Sequence, residues 1–197
     1  MIKTAKHSLL HLQDIDFYRD WQVIFHKFNL EIQTGQWLIV RGSNGCGKTT
    51  LLKLCVGLLQ PTEGNIRISG AYSYIGHTNG MKPTQTLEGF LKGLSNSSIK
   101  KSAEELIISL ALKEYKHTPF YQLSAGLKRR IALVYWLVLD VDLYIADEPL
   151  ANLDPISCQL VWQLLIKKIN TGSAILMAHH GPNLISHPAI QEIYLDV

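Results

Sequence analysis

The stretch Gly42-Ser43-Asn44-Gly45-Cys46-Gly47-Lys48-Thr49-Thr50 constrains this chain more than any other. It fits the pattern G-x-x-x-x-G-K-[ST]. The apolar run Trp37-Leu38-Ile39-Val40 precedes it, and residues 49–59 after it have helical character. A strand, a glycine-rich loop and a helix in that order form a phosphate cradle. Glycines let the backbone curl until successive N–H groups point at one anion. The helix start adds a partial positive charge. On this reading Gly42 to Thr50 bind a triphosphate, and Lys48 neutralises the β- and γ-phosphates. The Thr49 hydroxyl faces Mg²⁺, which takes hard oxygen ligands. The bare pattern also suits an ordinary glycine-rich turn. The strand before it and the helix after it select the phosphate reading.

Two further short apolar runs, at residues 143–146 and 174–178, read as buried parallel strands like 37–40. Residues 9–17 and 23–32 alternate as half-buried strands do, and 65–68, 72–75 and 190–195 are shorter strand candidates. Residues 49–59 and 155–169 read as helices among these strands. Between 75 and 143 the texture becomes helical. Residues 87–94, 102–112 and 123–139 carry the helical signal, and 77–86 read as a loop. The expected fold is α/β: a P-loop NTPase core with a parallel central sheet, an antiparallel β subdomain and a helical subdomain inserted at about 77–140. The whole chain, residues 1–197, reads as one domain.

The strand at 143–146 ends in Asp147-Glu148-Pro149. Asp147 is the candidate Mg²⁺ ligand, directly or through water. Glu148 is the candidate that polarises an attacking water. Adjacent acids at a strand end point different ways and can take different tasks. Catalysis would then rest on positioning and charge stabilisation.

Composition limits the alternatives. The formal net charge of +3 is too small to argue for nucleic acid as a partner. Cys46, Cys55 and Cys158 are unpaired in spacing, which fits a reducing compartment rather than a disulfide framework or zinc site. Residues 1–7 lack an apolar signal segment. The longest apolar run, 131–139, is far shorter than the roughly 20 residues of a membrane span. Only two residues follow the final strand candidate, so no C-terminal regulatory domain is expected.

With both nucleotide motifs in place, Leu123-Ser124-Ala125-Gly126-Leu127-Lys128-Arg129-Arg130 resembles the LSxGQ signature of the ABC ATPases. The motif order matches too: phosphate loop, signature, acidic strand, then Ala151-Asn152-Leu153-Asp154 like the D-loop. Met177-Ala178-His179 follows, like the switch histidine. The resemblance implies ATP and Mg²⁺ as ligands and an ATP-sandwich homodimer. Ser124 and Gly126 of one copy would complete the phosphate site of the other. It implies catalytic roles for Lys48, Glu148 and His179, with adjacent His180 a rival for the last. Asp154 would contact the partner copy.

This chain departs from the family pattern at three places. Leu127 replaces the usual glutamine of the signature. His77 stands where the Q-loop glutamine is usual, and a histidine there can still donate to, or ligate near, metal and water. The aromatic that stacks on adenine would be Tyr18, although Arg19 occupies the expected position, and arginine can stack on a base as well.

Gly-Ser-Asn-Gly, Tyr-Ile-Gly-His followed by Gly-Met-Lys, and Leu-Ser-Ala-Gly look like the ATP-binding subunits of bacterial cytochrome c maturation (haem exporter) systems. That resemblance implies a peripheral subunit on the cytoplasmic face of the inner membrane, paired with an integral membrane permease. Three rivals remain at this level: the subunit of another small-substrate ABC exporter, a soluble ABC protein acting on ribosomes or DNA, and a P-loop kinase or another non-ABC P-loop ATPase.

Overall fold

The computed structural model describes residues 7–195. The readings placed on residues 1–6 and 196–197 lie outside the described residues. Strand β1 (Ser8–Arg19) pairs antiparallel with β2 (Gln22–Gln33) and with β4 (Glu63–Ile68). Strand β3 (Trp37–Arg41) runs parallel to β7 (Ala174–Ala178) on one side and to β8 (Ile190–Tyr194) on the other. Strands β5 (Tyr72–Ile75) and β6 (Leu143–Asp147) extend that sheet in the order β5-β6-β7-β3-β8. The helices are α1 (Lys48–Cys55), α2 (Leu87–Gly93), α3 (Ser97–Ser109), α4 (Ala125–Leu137) and α5 (Pro155–Asn170).

Period-two alternation decides which side of the parallel sheet each side chain joins. Trp37, Ile39, Tyr144, Ala146, Ile175 and Met177 face a core shared with α2, α3, α4 and α5. Leu38, Val40, Leu143, Ile145, Ala174 and Leu176 face a second core shared with α1 and the antiparallel sheet. Both faces are covered, which is why these strands read as unbroken apolar runs. Trp37 stacks on Trp162 of α5, with ring centroids 4.8 Å apart.

The element boundaries differ from the sequence reading where polar groups set them. Helix α3 begins at Ser97, five residues before the expected start at Ser102. The Asn96 side chain accepts hydrogen bonds from the amides of Ser98 and Ile99, a full N-cap ahead of a polar first turn. Helices α2, α3 and α4 all lie between β5 and β6 in the chain.

Parallel register fixes where the loops go. Val40 and Asp147 both pair with Ala178 across β7. The chain therefore leaves β3, β6 and β7 at one level, on the carboxyl edge of the sheet, where open α/β sheets gather their ligand sites.

Candidate functional site

Arg41 ends β3, and the phosphate loop turns away at Gly42, whose φ is 140°. A Cβ there would lie 2.5 Å from Cys46 Sγ and 2.6 Å from the Leu195 carbonyl oxygen, so the curl admits no side chain. Lys48 opens α1 and is buried. Its Nζ donates to the carbonyls of Gly42 at 2.8 Å and Ser43 at 2.9 Å, which holds the ammonium inside the loop. Thr49 Oγ1 donates to Asp147 Oδ2 at 2.8 Å, across 98 residues of chain.

A cleft of about 330 Å³ is lined by Arg19, Asn44, Gly45, Gly47, Lys48, Thr49, Thr50, His77, Asp147 and Glu148. The phosphate-loop residues, the acidic pair and His77 thus meet, although they come from three separate parts of the chain. Tyr18 does not line this cleft, whereas Arg19 does. The two neighbours alternate across β1, next to the tight turn at Asp20 and Trp21, both with positive φ, and Arg19 is the one on the cleft side.

Glu148 has φ 49°, uncommon for a residue with a side chain. This turns its carboxylate away from that of Asp147. Glu148 Oε2 lies 2.9 Å from His180 Nδ1 and 3.7 Å from His179 Nδ1. Burial pushes its carboxyl up, but contacts with His179 and His180 outweigh this and hold it below the usual range. Glu148 is therefore ionised at neutral pH, as a group that orients water and accepts a proton must be. Replacing His180 with alanine removes an exposed partner of the carboxylate. The acid limb of the hydrolysis rate against pH is expected to move to higher pH, read from kcat in a pH series.

His179 is 7% exposed, and neither ring nitrogen has a hydrogen-bond partner among the described residues. Its ring stands edge-on to Trp162 and, with Glu148, borders a second cleft of about 420 Å³ walled by the turn at 150–155. The imidazole thus faces the D-loop side of Glu148, while the phosphate loop lies on the other side. Arg41 holds this segment: it donates to the His179 carbonyl at 2.8 Å, to Gly181, and to Asn183 Oδ1 at 2.6 Å, and pairs with Glu192 at 2.9 Å.

Ser124 caps α4, its Oγ accepting from the Leu127 amide at 3.3 Å, and it is exposed. Neither Ser124 nor Gly126 lines the cleft of its own phosphate loop. A Cβ on Gly126 would lie 2.9 Å from the Asn152 carbonyl oxygen, so the glycine lets the signature turn pack against the D-loop-like turn. Asp154 caps α5, accepting from the Ser157 amide at 2.9 Å and its hydroxyl at 2.7 Å, and pairs with Arg130. The two Ser157 hydrogen bonds come first in holding its carboxyl down at about 2. The side chain expected to reach a partner copy is thus engaged within its own chain. Asp154→Ala is expected to cost about 0.5–2 kcal/mol of stability through the lost cap, measured by urea unfolding.

Sequence reasoning missed two buried arginines. Arg41 closes a buried strand, and Arg129 joins α4 to the acidic turn. The signal for Arg129 was present: it shares a helical stripe with Ala132, Leu133 and Trp136, where a solvated charge does not belong.

A glycine-rich cradle at the end of a parallel strand, faced by an Asp-Glu strand end, defines a P-loop nucleoside triphosphatase. The chain belongs to the ABC transporter family, whose model matches residues 25–151, and it is the ATP-binding, ATP-hydrolysing subunit of such a transporter. It is 34% identical to the cytochrome c biogenesis ATP-binding export protein CcmA of Xanthomonas axonopodis pv. citri (strain 306), over 88% of this chain and 87% of that protein. It is likewise 34% identical to the protein of the same name from Hyphomonas neptunium, over 87% of this chain and 90% of the relative. A solved ATP-binding subunit of an ABC transporter superposes with a TM-score of 0.80 at 26% identity, covering 87% of this chain and 79% of that one. Among the described residues, no helix is long and apolar enough to cross a membrane.

Proposed function

We propose that two copies of this chain close head to tail around two ATP molecules, on an integral membrane permease at the cytoplasmic face of the inner membrane. Hydrolysis there serves cytochrome c maturation, through haem export or release of a haem chaperone. The relatives' names support that last assignment, and the chain's own motifs agree with it.

The observation that carries the dimer is the position of Ser124. It sits exposed at the start of a helix, outside the cleft of its own Lys48, with helix-end N–H groups and a hydroxyl suited to an anion. A two-fold arrangement brings that helix end onto the other copy's triphosphate. Within one cleft, residues Gly42 to Thr50 grip the triphosphate and Lys48 neutralises its charge. Glu148 orients the attacking water and takes its proton. His179 meets the γ-phosphate once the D-loop side closes, and His77 reports the state of the cleft to the permease. Arg19, rather than Tyr18, is the group placed to lie against the base. Thr49 and Asp147 present hard oxygens to one point, with His77 beside them, and so fit Mg²⁺. When bound, the ion would supply positive charge that neutralises the triphosphate.

Mixing two inactive proteins tests the dimer. Lys48→Ala spoils the cradle and Ser124→Glu spoils the cap. In a head-to-tail dimer, each mixed pair places both lesions in one site and leaves the other intact. An equimolar mixture is expected to recover about a quarter of wild-type sites, because half of the dimers are mixed. No recovery in phosphate release argues against shared sites. Co-purification with an integral membrane protein tests the permease partner, and recovery from membranes without one argues against it.

A further inference from the structure

We infer that Arg129 is a positioning residue for hydrolysis, its guanidinium fixing the turn that aims Asp147 and Glu148 and the loop that carries His77. Arg129 is 3% exposed. Its Nε donates to the Pro149 carbonyl at 3.1 Å, and its Nη2 to the carbonyls of Asp147 at 2.8 Å and Glu148 at 2.7 Å. Its Nη1 donates to the Gly76 carbonyl at 2.9 Å and contacts Asn79 Oδ1 at 3.4 Å. Among the described residues it makes no ion pair. A buried guanidinium is thus held by backbone oxygens, three of them consecutive.

That pattern has a geometric consequence. Three consecutive carbonyls facing one group cannot occur in a straight strand, where they alternate. The chain must turn, and the turn places Glu148 at φ 49°. The rigid guanidinium fork suits this task, because its donors are fixed in one plane. The turned backbone sends the Asp147 carboxylate to Thr49 and the Glu148 carboxylate to the histidine side. The same guanidinium holds the carbonyl immediately before His77. The signature helix, the acidic turn and the His77 loop therefore share one fastening. Arg130 to Asp154 adds a second tie from the same helix.

The inference rests on Glu148 acting on water, as proposed above. The test uses the full chain, a fluorescent ATP analogue for binding, and single-turnover hydrolysis expressed per bound ATP. Arg129→Lys retains the charge but cannot span the three carbonyls and Gly76. Affinity is expected to stay within about threefold, since the phosphate loop is untouched, while the rate per bound ATP falls about 10- to 100-fold through misplacement of the carboxylate. A role in folding alone lowers the fraction of chains that bind ATP and leaves the rate per bound ATP unchanged. That result overturns the inference. If the wild-type chain itself binds ATP without hydrolysing it, the proposed function fails, and amide exchange still tests the fastening. The Ala151 amide donates to the Glu148 carbonyl at 3.1 Å in a turn. In the wild-type chain it is expected to exchange as slowly as the amides of β6. Exchange at loop rates overturns the inference even if Arg129→Lys does not fold.

Discussion

Glu148→Gln is expected to bind MgATP at least as tightly as the wild-type chain while hydrolysing it about 10²- to 10⁴-fold more slowly. Glutamine keeps the size of the side chain. The backbone carbonyl of residue 148 still receives Arg129, so the turn survives. What disappears is the group that accepts a proton, together with a negative charge close to the triphosphate. Loss of the charge favours binding, and loss of the acceptor removes the chemical step. The variant is therefore expected to accumulate as an ATP-bound dimer, visible by light scattering behind a sizing column. Hydrolysis near the wild-type rate would remove Glu148 from the role of base.

Lys48→Ala behaves differently, because its charge acts in both binding and chemistry. The ammonium is buried and held by two carbonyls of the same loop, at the point where the triphosphate charge must be met. A charge-assisted contact in a site shielded from water accounts for about 10²- to 10³-fold. ATP affinity is expected to fall by that factor and turnover to fall at least as far. The unfolding midpoint should move little, since the lost hydrogen bonds tie the loop to itself. A variant that keeps its affinity would mean that the backbone cradle alone binds the triphosphate. Together the two variants separate gripping the nucleotide from cutting it.

The features legible in the sequence were those encoded by local chemistry. The phosphate loop declares itself because the curl at Gly42 admits no other residue and because Lys48 and Thr49 follow at fixed spacing. The three inner strands of the parallel sheet, β3, β6 and β7, were readable as unbroken apolar runs because both faces are buried. Asp147 and Glu148 were readable as candidates because two acids close an apolar run downstream of a phosphate loop, and the fold brings both to that loop's cleft.

Other features were not legible because partners distant in sequence decide them. The apolar stripe of α4 marks Arg129 as buried, but its partners, the carbonyls of residues 147–149 and 76, come to it only through the fold. Asp154 reads as a group free to reach another subunit, but Ser157 and Arg130 of its own chain engage it. His179 follows the end of β7 as read, yet only the structure shows its ring lodged beside Trp162, with neither nitrogen hydrogen-bonded among the described residues and Nδ1 3.7 Å from Glu148. Which of Tyr18 and Arg19 lines the cleft turned on the pleat of β1, where one position exchanges one for the other. The early start of α3 was hidden because its first turn is polar and Asn96, rather than an apolar stripe, begins it.

The central claim is that one triphosphate is held by two copies of the chain. A crystal structure of Glu148→Gln with MgATP tests it most directly. The account predicts a γ-phosphate within hydrogen-bonding distance of Lys48 Nζ in one copy and of Ser124 Oγ and the Gly126 amide in the other. A γ-phosphate touched by a single copy, with Ser124 facing solvent or its own subunit, would contradict it.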